Sequence, residues 1–188
     1  MEVITDETFN KIDYTIDKLE RAEYDNCSFT NCNFTGVDIS NIAFTECEFI
    51  DCNFSTVKAI NTSFRDITFS NCKMLGFSFN NCDEFLLSFS FKECNLELSS
   101  FYQLKLKKIS FINCSLCEAD FTEADLTESS FDNSNLKRAI FQNTTLEKAD
   151  FRTARNYSID PEINRIKKAK FSLPAVTGLL DKYNIEIK

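Results

Sequence analysis

The sequence of 188 residues contains no histidine and no tryptophan, and it has only three glycines and two prolines. Histidine is the usual general base near neutral pH and a common metal ligand, so its absence argues against ordinary acid–base catalysis. A Gly-rich phosphate-binding loop is also missing. We therefore expect a protein that is not an enzyme and that uses no cofactor and no metal.

The sequence also lacks long apolar runs and a basic leader. No run reaches the roughly 18 apolar residues that a membrane-spanning helix requires, and the first ten residues do not have the character of a secretory signal. Acidic residues outnumber basic ones by 29 to 21, which gives a formal net charge of −8 and disfavours direct nucleic-acid binding. We expect a cytoplasmic protein with no membrane partner and no direct nucleic-acid partner.

Phenylalanine is abundant, with 20 residues. Nine of these recur at intervals of 20 residues, with a single interval of 22, and they are Phe9, Phe29, Phe49, Phe69, Phe91, Phe111, Phe131, Phe151 and Phe171. Within each interval, apolar residues recur at every fifth position, as in Phe29, Phe34, Ile39 and Phe44. Four groups of five residues per turn predict an all-β solenoid with four sides, each of which directs one apolar side chain inward.

The nine cysteines follow the same repeat. Eight of them lie two positions before a large apolar residue, where the side chain should also point inward and should be small; they are Cys27, Cys32, Cys47, Cys52, Cys72, Cys82, Cys94 and Cys114. This placement indicates small buried side chains in a reducing compartment, not a disulfide framework. The expected structural core therefore combines the phenylalanines from Phe29 to Phe171 with the column Cys32, Cys52, Cys72, Cys94 and Cys114.

Cys117 is the exception to this pattern, and it forms a Cys-x-x-Cys pair with Cys114. This spacing occurs in redox and zinc sites. Because Cys114 should point inward and no second pair is present to complete four ligands, we expect neither a redox nor a metal role here.

The repeat predicts one domain over residues 1–188. Residues 1–25 follow the five-residue repeat imperfectly and predict an irregular first coil, whereas residues 26–155 predict regular coils. A slip of two residues at 83–90 should form an outward bulge. Residues 156–188 predict an irregular coil, a helix at about 174–183 and a short strand.

The predicted helix has an apolar stripe that would seal the last coil. Surface that it leaves uncovered would suit a two-fold dimer contact. The candidate contact residues are Leu173, Val176, Leu180, Tyr183, Ile185 and Ile187.

The repeating unit of a small residue, Asp or Asn, and a large apolar residue occurs at 51–55, 119–123, 124–128 and 149–153. It resembles the pentapeptide-repeat family over about residues 20–155. The resemblance implies a right-handed quadrilateral parallel β-helix with a short C-terminal α-helical cap. The tail at 171–187 is similar to that of the quinolone-resistance, Qnr-like branch of the family. That similarity implies a homodimer through the C-terminal helix and an acidic rod that mimics DNA and engages DNA gyrase or topoisomerase IV.

Two functions remain open from the sequence. In the first, an acidic rod binds a DNA-handling enzyme, and the candidate acidic residues are Glu118, Asp120, Glu123, Asp125 and Glu128. In the second, a scaffold or adaptor binds an unrelated protein through outward apolar residues, for which the candidates are Leu75, Phe85, Leu87, Leu98 and Tyr102.

Overall fold

The computed structural model describes residues 2–187. They form a right-handed four-sided parallel β-helix, which confirms the predicted fold class. We number the sides in chain order by the inward residue of one coil: Tyr24 on the first side, Phe29 on the second, Phe34 on the third and Ile39 on the fourth. A coil takes 20 residues because each of the four sides contributes five.

Ten short strands build the first two sides, and all of them pair in parallel. In chain order they are β1 (Glu2–Thr5), β2 (Thr8–Asn10), β3 (Ala22–Asp25), β4 (Ser28–Thr30), β5 (Ala43–Thr45), β6 (Glu48–Ile50), β7 (Ser63–Arg65), β8 (Ile67–Ser70), β9 (Phe89–Lys92) and β10 (Phe111–Ile112). The first side has the order β1-β3-β5-β7, and the second has the order β2-β4-β6-β8-β9-β10. Elsewhere the coils are joined by isolated parallel bridges, such as Asp120 to Ile140.

The phenylalanine column lies in register along the second side. Phe69 pairs with Phe91, so the interval of 22 residues leaves the stack aligned. From Phe9 to Phe171, successive ring centroids are 4.6–5.4 Å apart and the rings are nearly parallel. Phe171, at the end of the column, is half-buried. The spacing is close to the interstrand distance of any β-sheet, because each ring belongs to a neighbouring strand.

The cysteine column also supplies internal hydrogen bonds. The thiol of Cys52 lies 3.3 Å from the carbonyl oxygen of Phe29, one coil earlier. Further along the same column, the Ser134 hydroxyl donates to the Phe111 carbonyl at 3.2 Å. The nine cysteines are free, and eight are buried. In the neighbouring column of small inward residues, burial raises the pKa of Cys47 to about 12. The small inward position therefore supplies a hydrogen bond as well as filling space.

The corners of the coil are made with few glycines. At most corners one residue takes a left-handed backbone conformation; Asn31, for example, has φ 55° and Glu46 has φ 50°. This conformation costs a residue with a Cβ about 1–2 kcal/mol, and Asn tolerates it better than most. Glycine occupies this position only at Gly36 and Gly76 among the described corners.

The two-residue slip lies between the first and second sides. Ser63 bridges Asp83, whereas Ile67 pairs with Phe89, so three residues of one coil face the five residues 84–88 of the next. The extra chain turns outward. Inside, Phe77 and Phe89 are buried at positions where most coils have small residues. Their rings fill the core beside the bulge.

The cap is small, and its helical turns are of the 3-10 type, not the expected α-helix over about 174–183. They cover Leu173–Leu179 and Asp181–Tyr183. Gly178 fits so closely that a Cβ there would lie 2.2 Å from the Tyr157 carbonyl oxygen, and its own carbonyl accepts the Ile159 N–H at 2.9 Å. The close packing of the cap against Tyr157 therefore constrains the backbone conformation at Gly178.

The described residues after Tyr183 contain no β-strand, so the expected short strand is not formed there. No helix within residues 2–187 has both the length and the apolar character needed to cross a bilayer.

Candidate partner-binding site

One column of exposed residues runs along the corner between the first and second sides, and we call it the corner ridge. It consists of Asp6, Asn26, Glu46, Asp66, Leu86, Lys108, Glu128, Lys148 and Lys168. Each member has φ between 50° and 64°. The left-handed corner places these side chains at the outermost edge of each coil, where a partner would meet them first.

The charge of the corner ridge changes sign at Leu86. The members before Leu86 are acidic or neutral, whereas Lys108, Lys148 and Lys168 follow it. Glu128 lies between two of these lysines and accepts a hydrogen bond from Lys148 at 2.6 Å. This bond lowers the pKa of Glu128. The amino-terminal part of the ridge therefore presents acid, and its carboxyl-terminal part presents base with one neutralised acid.

The bulge forms an apolar tip at the point where the charge changes. Phe85 and Leu86 are 65% and 64% exposed. The Arg65 guanidinium lies 5.5 Å from the centre of the Phe85 ring, a distance at which cation–π attraction holds the ring in place. The Asp83 carboxylate accepts the Phe85 N–H at 3.0 Å. Leu87 is partly buried and packs against the core, so the exposed tip consists of Phe85 and Leu86.

The five apolar residues selected from the sequence do not form one patch. Phe85 and Leu87 lie at the first corner, whereas Leu75 and Leu98 lie at the diagonal corner, between the third and fourth sides. Tyr102, which is 38% exposed, lies at the corner between the fourth and first sides. The role of Arg65 beside Phe85 was not predicted from the sequence, because this contact joins residues on successive coils.

The five acidic residues selected from the sequence lie on different sides and corners, and each has a partner. Three form ion pairs: Glu118 with Arg138 at 3.2 Å, Asp125 with Lys107 at 3.4 Å, and Glu128 with Lys148 at 2.6 Å. Glu123 accepts a hydrogen bond from Gln103 at 2.7 Å, and Asp120 accepts one from the Thr122 N–H at 2.9 Å. The three ion pairs reduce the negative field that the carboxyl-terminal coils can present.

The residues selected for a dimer contact lie on the outside of the cap. Leu173 is 89% exposed; Tyr183, Ile185 and Ile187 are at least half exposed; Val176 is 36% exposed and Leu180 is half-buried. Lys182 holds the cap to the last coil through ion pairs with Asp160 at 2.8 Å and Glu162 at 2.6 Å. The cap is thus fixed on its inner face and apolar on part of its outer face.

The described residues offer little that could support chemistry. No group of three His, Cys, Asp or Glu side chains within residues 2–187 is placed to hold a metal ion. Cys114 is buried, whereas Cys117 is half-exposed, and the Asn135 amide nitrogen lies 3.3 Å from its sulfur. The two thiols of the Cys-x-x-Cys pair therefore lie in different environments.

Comparison with known proteins agrees with the repeat. A family model described as "Pentapeptide repeat region" matches residues 22–101 and 76–151. The comparison with curated protein sequences finds no match.

Solved structures of similar fold include full-length QnrB1, a plasmid-mediated fluoroquinolone resistance protein, at 18% identity and a TM-score of 0.46, covering 97% of this chain and 100% of that chain. They also include HetL, a pentapeptide repeat protein involved in heterocyst differentiation regulation from the cyanobacterium Nostoc sp. strain PCC 7120. HetL is 14% identical with a TM-score of 0.44, and the match covers 92% of this chain and 87% of that chain.

Proposed function

Because the chain belongs to the pentapeptide-repeat family, we propose that it is a non-catalytic rod that binds a protein partner at the corner ridge around Leu86. The observation that carries this proposal is the acidic part of the ridge ending at the exposed tip of Phe85 and Leu86. Exposed apolar side chains rimmed by charged residues are typical of protein interaction surfaces.

The charges beside the tip indicate which kind of partner surface would complement the site. Within residues 2–82 the structure has one ion pair, Lys58 with Asp38, and this pair lies on the fourth side, away from the ridge. No base among residues 2–187 lies within ion-pair distance of the ridge acids Glu46 and Asp66. These two acids lie roughly 5 Å apart because they occupy successive coils. A partner with a basic surface next to an apolar pocket would complement both features.

A matched pair of substitutions tests this site. Leu86 and Leu98 are both exposed leucines in left-handed corners, with φ of 57° and 59°, but they lie on diagonal corners. Leu86→Asn should reduce capture of the physiological partner from native lysate at least about tenfold, a loss equivalent to about 1.4 kcal/mol, whereas Leu98→Asn should leave capture unchanged. Circular dichroism would confirm the fold of both variants. Equal capture by the two variants would contradict the proposed site.

A type II topoisomerase is the specific partner class that the acidic ridge and the tail similarity support. Such an enzyme binds DNA through basic surfaces, and the acidic part of the ridge offers carboxylates to the same surfaces. A gyrase supercoiling assay, with and without a quinolone, tests this candidate. The wild-type protein should change the supercoiling yield, and Glu46→Lys with Asp66→Lys should abolish the change. If the wild-type protein has no effect while Leu86→Asn still loses its lysate partner, the alternative function of scaffold or adaptor remains.

The homodimer through the cap remains a prediction. It would bury Leu173 and the other exposed apolar residues of the cap against their two-fold copies. The experiment below separates this dimer from a different mode of association.

A further inference from the structure

The amino-terminal end of the rod, residues 2–25, is open. Strands β1 and β2 are the first strands of their sheets and each pairs on one side only within the described chain. Behind them lies a hollow of about 440 Å³ whose lining includes Ile4, Phe9 and Ile12, with the acidic Glu7, Asp17 and Glu20 at the same end. Unpaired strand edges above an apolar hollow form a template for another chain.

The carboxyl-terminal end, residues 151–187, offers complementary features. Leu173 is 89% exposed, and Ile185 and Ile187 are 57% and 54% exposed. Four basic residues precede the cap in the last coil, namely Arg165, Lys167, Lys168 and Lys170. Apolar side chains and basic charge therefore lie together at this end.

The two ends carry opposite charge. Residues 2–25 contain eight acidic and three basic side chains, whereas residues 151–187 contain seven basic and four acidic ones. The corner ridge shows the same polarity, with Asp6 at one end and Lys168 at the other. Charge therefore favours contact between unlike ends over contact between like ends.

We propose that the amino-terminal end of one copy binds the carboxyl-terminal end of a second copy, so that rods associate end to end. The apolar residues of the cap and tail would cover the hollow, and the last-coil bases would face the first-coil acids. Such a contact is heterologous, so it leaves a free end on each copy and continues beyond a dimer. It uses the ends of the rod and does not depend on the partner site at Leu86.

Charge exchange tests the proposal in solution. The acidic-end variant carries Glu7→Lys and Glu20→Lys, and the basic-end variant carries Lys167→Glu and Lys168→Glu; these four side chains are exposed. By sedimentation velocity at low salt, the wild-type protein should grow beyond a dimer as concentration rises, and added salt should reverse this. Each variant alone should associate at least about tenfold more weakly. An equimolar mixture should recover a one-to-one complex, because the unaltered acidic end of the basic-end variant then meets the unaltered basic end of the acidic-end variant.

The control is a charge reversal of the same size in the middle of the rod, Lys73→Glu with Lys92→Glu, which should leave association unchanged. A wild-type protein that stays monomeric at high micromolar concentration would overturn the proposal. A wild-type protein that forms a dimer and nothing larger would also overturn it, provided that the acidic-end variant forms the same dimer. That result would identify the two-fold contact through the cap. Failure of the mixture to recover association would also count against it.

Discussion

Between residues 22 and 82, phenylalanine or tyrosine faces inward from the first, second and third sides at most levels, as with Tyr24, Phe29 and Phe34. Between residues 91 and 151, phenylalanine occupies the second and fourth sides and leucine the first and third, as with Phe121 and Leu126. Both halves are buried to the same degree. The coil therefore requires a certain total core volume, which several distributions of large and small side chains supply.

The surfaces of the two halves differ as well. In the carboxyl-terminal half, opposite charges lie one coil apart and pair, as Glu118 does with Arg138. In the amino-terminal half, Glu46 and Asp66 on the corner ridge form no such pair with any residue that the structure describes. A half whose acids are paired is less suited to attract a basic partner, so this difference favours the proposed binding surface on the amino-terminal side of the bulge.

The largest expected difference between the halves comes from removing one ring from each core. Phe49 has five aromatic rings within 6.1 Å, and Phe131 has four within 6.3 Å. Both Phe49→Ala and Phe131→Ala should lower the free energy of unfolding by about 3–5 kcal/mol, because each leaves a cavity. Phe49→Ala should cost more. Urea denaturation measures both.

The exposed Phe85→Ala serves as the control for these substitutions and should change stability by less than about 0.5 kcal/mol. A larger loss for Phe131→Ala than for Phe49→Ala would show that ring contacts do not explain the difference between the halves.

The next effect concerns the corners. Thr56, in the amino-terminal half, is β-branched and has φ 57°, a conformation that such residues rarely adopt. Thr56→Asn should stabilise the protein by about 1 kcal/mol, because asparagine tolerates the left-handed region better. Glu118 occupies the same corner column in the other half with φ 58°, and Glu118→Asn should gain less. Calorimetry would measure the melting temperatures of the two variants. An equal gain in stability for both would contradict the role of β-branching.

A smaller effect is expected in the inward column that changes from cysteine to serine. Cys52→Ser should be nearly neutral, because Ser134 already makes the equivalent bond to a carbonyl of the preceding coil. Cys52→Ala should cost about 1 kcal/mol through the lost hydrogen bond and volume. Ser134→Ala should cost a similar amount. If Cys52→Ala is as stable as Cys52→Ser in urea, the thiol contributes only its size.

The smallest effect is the response to salt and acid. High salt screens exposed ion pairs, so amides in residues 91–151 should exchange faster with deuterium, while those in residues 22–82 should not. Lowering the pH should act similarly on Glu128. Lys148 lowers the pKa of Glu128 in the folded protein. The contribution of this ion pair to stability is therefore present above the unfolded pKa of about 4.3 and is lost as pH falls through the lower folded pKa. Hydrogen exchange by mass spectrometry would show both, and a uniform response along the rod would contradict the comparison.

Much of the core follows from the repeat, but little of the candidate site does. The register of Phe69 with Phe91 could be predicted, because an inward column tolerates no other alignment. The contact of Arg65 with Phe85 could not be predicted, because the conformation of the extra residues decides which side chain turns outward. The use of Phe77 and Phe89 to fill the core beside the bulge was missed for the same reason.

The four-sided coil, its 20-residue period and the identity of its inward residues follow from the repeat in the sequence. They follow because every fifth side chain must leave water, and this requirement acts on each coil alike. Folding in three dimensions fixes which outward residues share a corner, which acids are paired, and that the cap winds as a 3-10 helix against Tyr157. These features depend on neighbours about a coil apart in the chain, and an outward position accepts many side chains.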